Sequence, residues 1–133
     1  MKPEELHYAK THEWVHVAED GPGGKTATVG ISAFAVEALT DLVFIELPEV
    51  GRDVKAGESF GEIESVKAVS DIYSPISGKV IEVNDKLPDN LDLLSEDAYG
   101  EGWVAKLQIS DESGLADLLD YAAYQKLCAE EEH

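Results

Sequence analysis

Short runs rich in Val, Ile, Phe, Tyr or Trp, most of them bounded by Gly, Pro, Asp or Asn, recur seven times along the chain. They cover residues 13–18, 26–31, 42–47, 59–65, 69–73, 78–83 and 103–109. Runs of this length and composition predict strands, and their regular spacing with turn signals between them predicts an all-β sandwich or barrel. Gly21-Pro22-Gly23-Gly24 reads as a surface turn between the first two strands. Helical spacing occurs in three places. Ser32 is placed to cap a short helix in which Ile31, Ala35 and Leu39 recur, and a further turn is expected over 90–94. A C-terminal helix is expected with Leu115, Leu118, Leu119, Ala122 and Leu127 on one face, capped by Asp111 or Ser113. No repeat or extended low-complexity segment interrupts the pattern.

Composition narrows the picture. The chain has 133 residues, 44% of them apolar, which fits one globular domain with a real core rather than a disordered chain. We expect a single domain over 1–133, with its core at about 8–127 and a frayed acidic tail over 128–133. No run is long enough to span a membrane. The N-terminal Met1-Lys2-Pro3-Glu4-Glu5 has neither a secretory apolar core nor a transit-peptide composition. The cytoplasm is the expected compartment, and a mature mitochondrial protein shorn of its leader stays open. With 10 basic and 28 acidic residues the formal charge is −18, the wrong sign for binding nucleic acid. Such a charge favours solubility, steers partners with basic faces, and opposes self-association, so a monomer is expected.

The usual signals of catalysis do not accumulate. His7, His12, His16 and His133 have no metal-site spacing, and no metal is expected. His12 and His16, read as strand residues, would lie roughly 13 Å apart. Cys128 is the only cysteine and reads as a packing residue. There is no nucleophile elbow, phosphate loop or dinucleotide fingerprint. The chain therefore reads as a protein that is not itself an enzyme.

One motif stands apart. Glu64-Ser65-Val66-Lys67-Ala68 joins two strand runs, with Gly57 and Gly78 outside them as turn residues. This reads as a β-hairpin with Lys67 at its tip, flanked by Val66 and Ala68, with Glu62, Glu64 and Asp71 nearby. Three readings compete: a carrier whose lysine is acylated with a swinging group, an enzyme with a Schiff-base lysine, and an interaction module on which Lys67 is decoration. A Schiff-base lysine needs an apolar pocket or a neighbouring cation, and a tip among acids supplies neither. A carrier needs a tight turn on a rigid sheet, which the pattern provides.

These residues, with several other blocks, resemble the glycine cleavage system H protein family, lipoyl carriers. The blocks are His12-Glu13-Trp14-Val15, Val29-Gly30-Ile31, Leu42 through Pro48, Gly61 through Lys67, Ser70 through Gly78, Glu82-Val83-Asn84, and Tyr99 through Trp103. Biotin carriers resemble the chain less, since their lysine usually stands between two methionines. The resemblance implies a mainly β fold, a flattened barrel-sandwich hybrid of the lipoyl/biotinyl-carrier type with short helices and a C-terminal helix. It implies lipoate attached as an amide to Lys67 by a lipoate ligase or lipoyl/octanoyl transferase, lowering the formal charge from −18 to −19. It also implies an arm that takes an aminomethyl group from a pyridoxal-phosphate (PLP) glycine decarboxylase. The arm would pass the carbon to tetrahydrofolate on an aminomethyltransferase and be reoxidised by dihydrolipoamide dehydrogenase. Carried over by position, Thr11, Glu13 and Asp71 would lie at the cleft where the loaded arm docks, and Glu64, Ser65, Val66 and Ala68 would flank the modified lysine. A role as lipoate donor to 2-oxoacid dehydrogenases would use the same hairpin. Thr40, Ser95 and Ala98 depart from the family pattern, and Pro88 and Leu91 look irregular, so the loop over 86–98 is expected to differ in shape.

Overall fold

The computed structural model describes residues 3–19, 25–39, 41–111 and 118–131. Each of the seven predicted runs is a strand: β2 (Glu13–Glu19), β3 (Lys25–Ile31), β4 (Leu42–Glu46), β6 (Ser59–Ser65), β7 (Val69–Tyr73), β8 (Ser77–Val83) and β9 (Trp103–Asp111). Two strands of two residues, β1 (His7–Tyr8) and β5 (Asp53–Val54), carry no run of their own and form against longer neighbours. The strands make two antiparallel sheets, one of six in the order β1-β2-β3-β9-β8-β5 and one of three in the order β4-β6-β7. The sheets remain separate and unclosed, so the expected flattened sandwich is present without a continuous barrel wall.

Alternation along the strands builds the core. Val15, Ala27, Val29, Val80, Val104 and Leu107 from the larger sheet meet Ile45, Phe60, Ile63 and Ile72 from the smaller one. A second cluster joins Leu6, Tyr8, Trp14 and Tyr124, with Tyr99, Trp103 and Leu127 packed against it. Trp14 donates its indole N–H to the carbonyl of Ala98 at 2.8 Å, which satisfies the one polar atom of a fully buried ring. That bond uses the backbone of position 98, so alanine serves there.

The helices depart from the pattern in instructive ways. Helix α1 (Ala33–Leu39) starts as expected: Ser32 Oγ accepts from Ala35 N–H at 3.2 Å, and the Ser32 carbonyl accepts from Val36 N–H. The turn expected over 90–94 is present, with Leu93 N–H donating to the Asn90 carbonyl and Leu94 N–H to the Leu91 carbonyl, both at 3.0 Å; it leads from a 3-10 turn (Leu87–Asp89) into α2 (Leu93–Glu96). The C-terminal helix α3 (Tyr121–Glu131) starts later than expected, its cap displaced by nine residues from Asp111 or seven from Ser113. Asp111 belongs to β9, Ser113 and Leu115 lie outside the described residues, and Asp120 is the cap, its Oδ1 accepting from Ala123 N–H at 2.8 Å. Leu119 is used instead to bridge Tyr8 through two backbone bonds of 2.7 and 2.8 Å. Ala122 is exposed, and the inward face of α3 is Tyr121, Tyr124, Leu127 and Cys128. The helix continues to Glu131, so the tail expected over 128–133 is helical through residue 131.

Two glycines differ in role. Gly57 has φ +87°, as a turn residue should. Gly78 is not a turn residue: it lies in β8 at a register shift against β9, where a Cβ would stand 2.4 Å from the Gln108 carbonyl oxygen. The turn over 21–24 and Thr40 lie outside the described residues.

Candidate functional site

The hairpin between β6 and β7 is as tight as the sequence implies. Glu64 pairs with Val69, and Ser65 N–H donates to the Ala68 carbonyl at 2.8 Å. Val66 and Lys67 are left at the tip. Neither has positive φ, so the turn is not one of the glycine-rich types usual in two-residue hairpins. The buried Ser65 side chain closes it instead: Ser65 Oγ accepts from Ala68 N–H at 3.1 Å and lies 3.2 Å from the Ala68 carbonyl, to which it donates. Val66 N–H donates to the Asp41 carbonyl at 3.1 Å, which pins the tip to the entrance of β4. Lys67 is exposed, and its ammonium makes no hydrogen bond or ion pair among the described residues. Val66 and Val69 beside it in the hairpin, and Val43 and Phe44 on the β4 segment that pairs with the start of the hairpin, are each at least half exposed. Glu46, Glu62 and Asp71 form one register row across the outer face of the three strands.

A cavity of about 180 Å³ lies along the free edge of β7. Its walls come from the turn before β2 (Thr11, His12 and Glu13), from α1 (Phe34, Ala35, Ala38 and Leu39) and from the smaller sheet (Ile63, Ser70, Asp71 and Ile72). The turn is closed by His12 N–H donating to the Ala9 carbonyl and Ala9 N–H to the Glu13 carbonyl. His12 takes φ +79°, a conformation uncommon for a residue with a Cβ. It is therefore a turn residue just before the strand, so the strand geometry used for its distance to His16 does not apply to it.

Glu13 is the chemical centre of this cavity. It is only 3% exposed, not the surface charge that a strand-start glutamate usually is. Its carboxylate accepts from the Thr11 hydroxyl and, at 3.2 Å, from Tyr73 N–H, which points off the free edge of β7. Burial pushes its pKa up to about 7, and these hydrogen bonds offset only part of that rise. Thr11, Glu13 and Asp71 thus line one cavity. Asp71 is exposed at its rim and accepts a long bond from the Tyr73 hydroxyl at 3.4 Å. Lys67, with Glu64, Ser65, Val66 and Ala68, stands at the other end of β7. Lys67 precedes Asp71 by four positions, the first two of them in the turn before β7, so their Cα atoms lie within roughly 14 Å. His12 and the wall of α1 were not singled out from sequence. The available signal was Phe34, a large apolar residue off the core-facing stripe of a short helix.

Fold and hairpin together define a domain of the lipoyl/biotinyl-carrier class. Comparison with known proteins specifies it further. The family described as glycine cleavage H-protein matches residues 6–131. A glycine cleavage system H protein of Rhodopirellula baltica is 58% identical over 128 residues, covering 96% of each chain. One of Thermotoga maritima is 54% identical over 124 residues, 93% of this chain and 96% of that one. The crystal structure of a glycine cleavage system H protein from Mycobacterium marinum superposes with a TM-score of 0.81 at 42% identity, covering 94% of this chain and 99% of that one. The chain belongs to the glycine cleavage H-protein family.

Proposed function

We propose that this protein is the lipoyl-bearing shuttle of a glycine cleavage system, with lipoate held as an amide on Lys67. The residues fit that group in two places. The tip offers an exposed primary amine on a turn braced by Ser65 and by the Asp41 carbonyl. Along β7, whose Asp71 lies within roughly 14 Å of the Lys67 backbone and so within reach of a lysine stem lengthened by an acyl chain, an apolar cavity holds a carboxylate. When bound, lipoate supplies a dithiol that carries an aminomethyl group between enzymes. The chain's own residues anchor that arm, receive its cationic end at Glu13 and Thr11, and shield it from water with Phe34, Ala38 and Leu39. Asp71 adds charge at the rim. The protein acts as a substrate of its partners and does no catalysis itself.

The buried carboxylate of Glu13 carries this reading. A lipoate donor to 2-oxoacid dehydrogenases needs only the hairpin. A carboxylate kept in an apolar cavity beside the arm suits a cationic cargo, because an ammonium restores what burial removes. The proposed partners are the PLP-dependent decarboxylase, the tetrahydrofolate-dependent aminomethyltransferase, dihydrolipoamide dehydrogenase, and the ligase or transferase that loads Lys67. We take 1–133 as one carrier domain, monomeric and cytoplasmic; among the described residues no helix is long and apolar enough to cross a membrane.

Intact mass after incubation with lipoate, ATP and a lipoate ligase tests the attachment. One lipoyl group should add to the native protein and none to Lys67→Arg, which keeps the charge but has no acylatable primary amine. Reconstitution with glycine and the three partner enzymes tests the pathway. A lipoylated protein that supports no glycine-dependent CO2 release would overturn it.

A further inference from the structure

The hydroxyl of Tyr124, on α3, meets both walls of the cavity although it lines neither. It lies 2.7 Å from His12 Nδ1 and 2.5 Å from Ser32 Oγ. His12 belongs to the turn that carries Thr11 and Glu13, and Ser32 caps the helix that carries Phe34, Ala35 and Ala38. The backbones of these walls are already joined, since Ser32 N–H donates to the His12 carbonyl at 2.9 Å. What that bond leaves undetermined is the direction of the His12 ring. The ring packs on Phe34 with centroids 5.3 Å apart and planes 30° apart, and both residues line the cavity. Tyr124 is itself held by stacking on Tyr8, at 4.3 Å with planes 4° apart. A phenol both donates and accepts, so one hydroxyl satisfies the serine and the imidazole together.

We propose that Tyr124 is a positioning residue for the arm: its hydroxyl fixes the His12 ring against Phe34 and so holds the cavity wall shut over the docked group. This rests on the reading of the cavity as the docking site of the aminomethyl-loaded arm. The consequence is that α3, more than a hundred residues away in sequence, governs how long the cargo survives in water. Undocked, the cargo is lost by hydrolysis: water breaks the carbon–sulfur and carbon–nitrogen bonds, and thiol, formaldehyde and ammonium leave.

Tyr124→Phe removes the hydroxyl and keeps the stacked ring. In the unlipoylated protein, the NMR signals of the His12 ring protons should lose the ring-current shift imposed by Phe34. Unchanged signals overturn the proposal. In the lipoylated, loaded protein freed of its partners, formaldehyde release should quicken about three- to tenfold, the effect of one hydrogen bond. His12→Ala should quicken release comparably, and the double variant should do no more than either, because both remove one device. Effects that multiply overturn the route through His12. Glu13→Gln separates the two levels. If it quickens release and Tyr124→Phe does not, the proposal falls and arm docking stands. If neither does, arm docking itself falls, and the proposal with it.

Discussion

At the scale of single residues, Lys67 and Glu13 show opposite degrees of legibility. The exposed tip that presents Lys67 could be read because its two strand runs and small flanks are local, although the bond from Val66 N–H to the Asp41 carbonyl that steadies it is not. Glu13 could be named only through resemblance, since its burial depends on Tyr73 N–H, sixty residues away. That burial has a measurable consequence. An unfolded glutamate titrates near 4.5 and folded Glu13 at about 7, so between those values the folded chain holds the extra proton. Stability contributed by this site is therefore fully present at and below about pH 4.5, falls as pH rises towards 7, and levels off above it. The loss is on the order of 3 kcal/mol. Glu13→Gln can still accept from Tyr73 N–H and donate to Thr11, and it does not titrate. The difference in urea stability between the two proteins should shift in favour of the variant from pH 4.5 to 8; a difference constant with pH would contradict the buried, titrating carboxylate. By the same linkage, a cationic arm binds the ionised form, so the loaded arm of the native protein should be better protected at pH 8 than at pH 6. Hydrolysis of the loaded group, followed across that range, checks this, and the Gln variant should lack the trend.

At the scale of elements, the strands were legible because each long run carries its own pattern, whereas β1 and β5 exist only through their partners. The C-terminal helix was misplaced for a related reason. Leucines before residue 120 fit a helical stripe, but Leu119 pairs with Tyr8 and β9 extends to Asp111, so the helix waits for the Asp120 cap. The hairpin shows how little holds a functional turn. Ser65→Ala deletes both side-chain bonds that close the tip and should cost about 1 kcal/mol. Acylation of Lys67 by a lipoate ligase should slow several-fold, because the tip then samples open geometries. Denaturation midpoints and the acylation rate, measured together, check both halves. A slowed rate with unchanged stability would mean that the ligase reads the serine directly.

At the scale of the whole molecule, the charge of −18 has no structural partner large enough to absorb it. Among the described residues, the ion pairs of Arg52 with Glu58 and Lys106 with Glu82 are long and partly exposed, so these two contribute little to stability. In the row formed by Glu46, Glu62 and Asp71, like charges directly oppose each other across strands, an arrangement that lowers stability. The surplus favours solubility, and we propose that it also acts as a field that draws partners with basic surfaces. Association with the decarboxylase should slow roughly tenfold or more between low salt and about 0.5 M salt, with dissociation changing less. Stopped-flow or surface-based kinetics across that range checks it. The sequence predicts the sign of this field, while its alignment across three strands follows from register, which only the folded sheets reveal.

Strand β7 ends its sheet, and such an edge normally invites a strand from another molecule. Here Tyr73 N–H, an outward-facing donor of that edge, is already taken by Glu13, and Asp71 projects a charge beside it. The carboxylate proposed to receive the cargo thus also occupies a bonding position that an intruding strand would use. Glu13→Ala would then do more than empty a cavity: in concentrated solution it should turn a freely dispersed protein into one that adds strand to strand and aggregates.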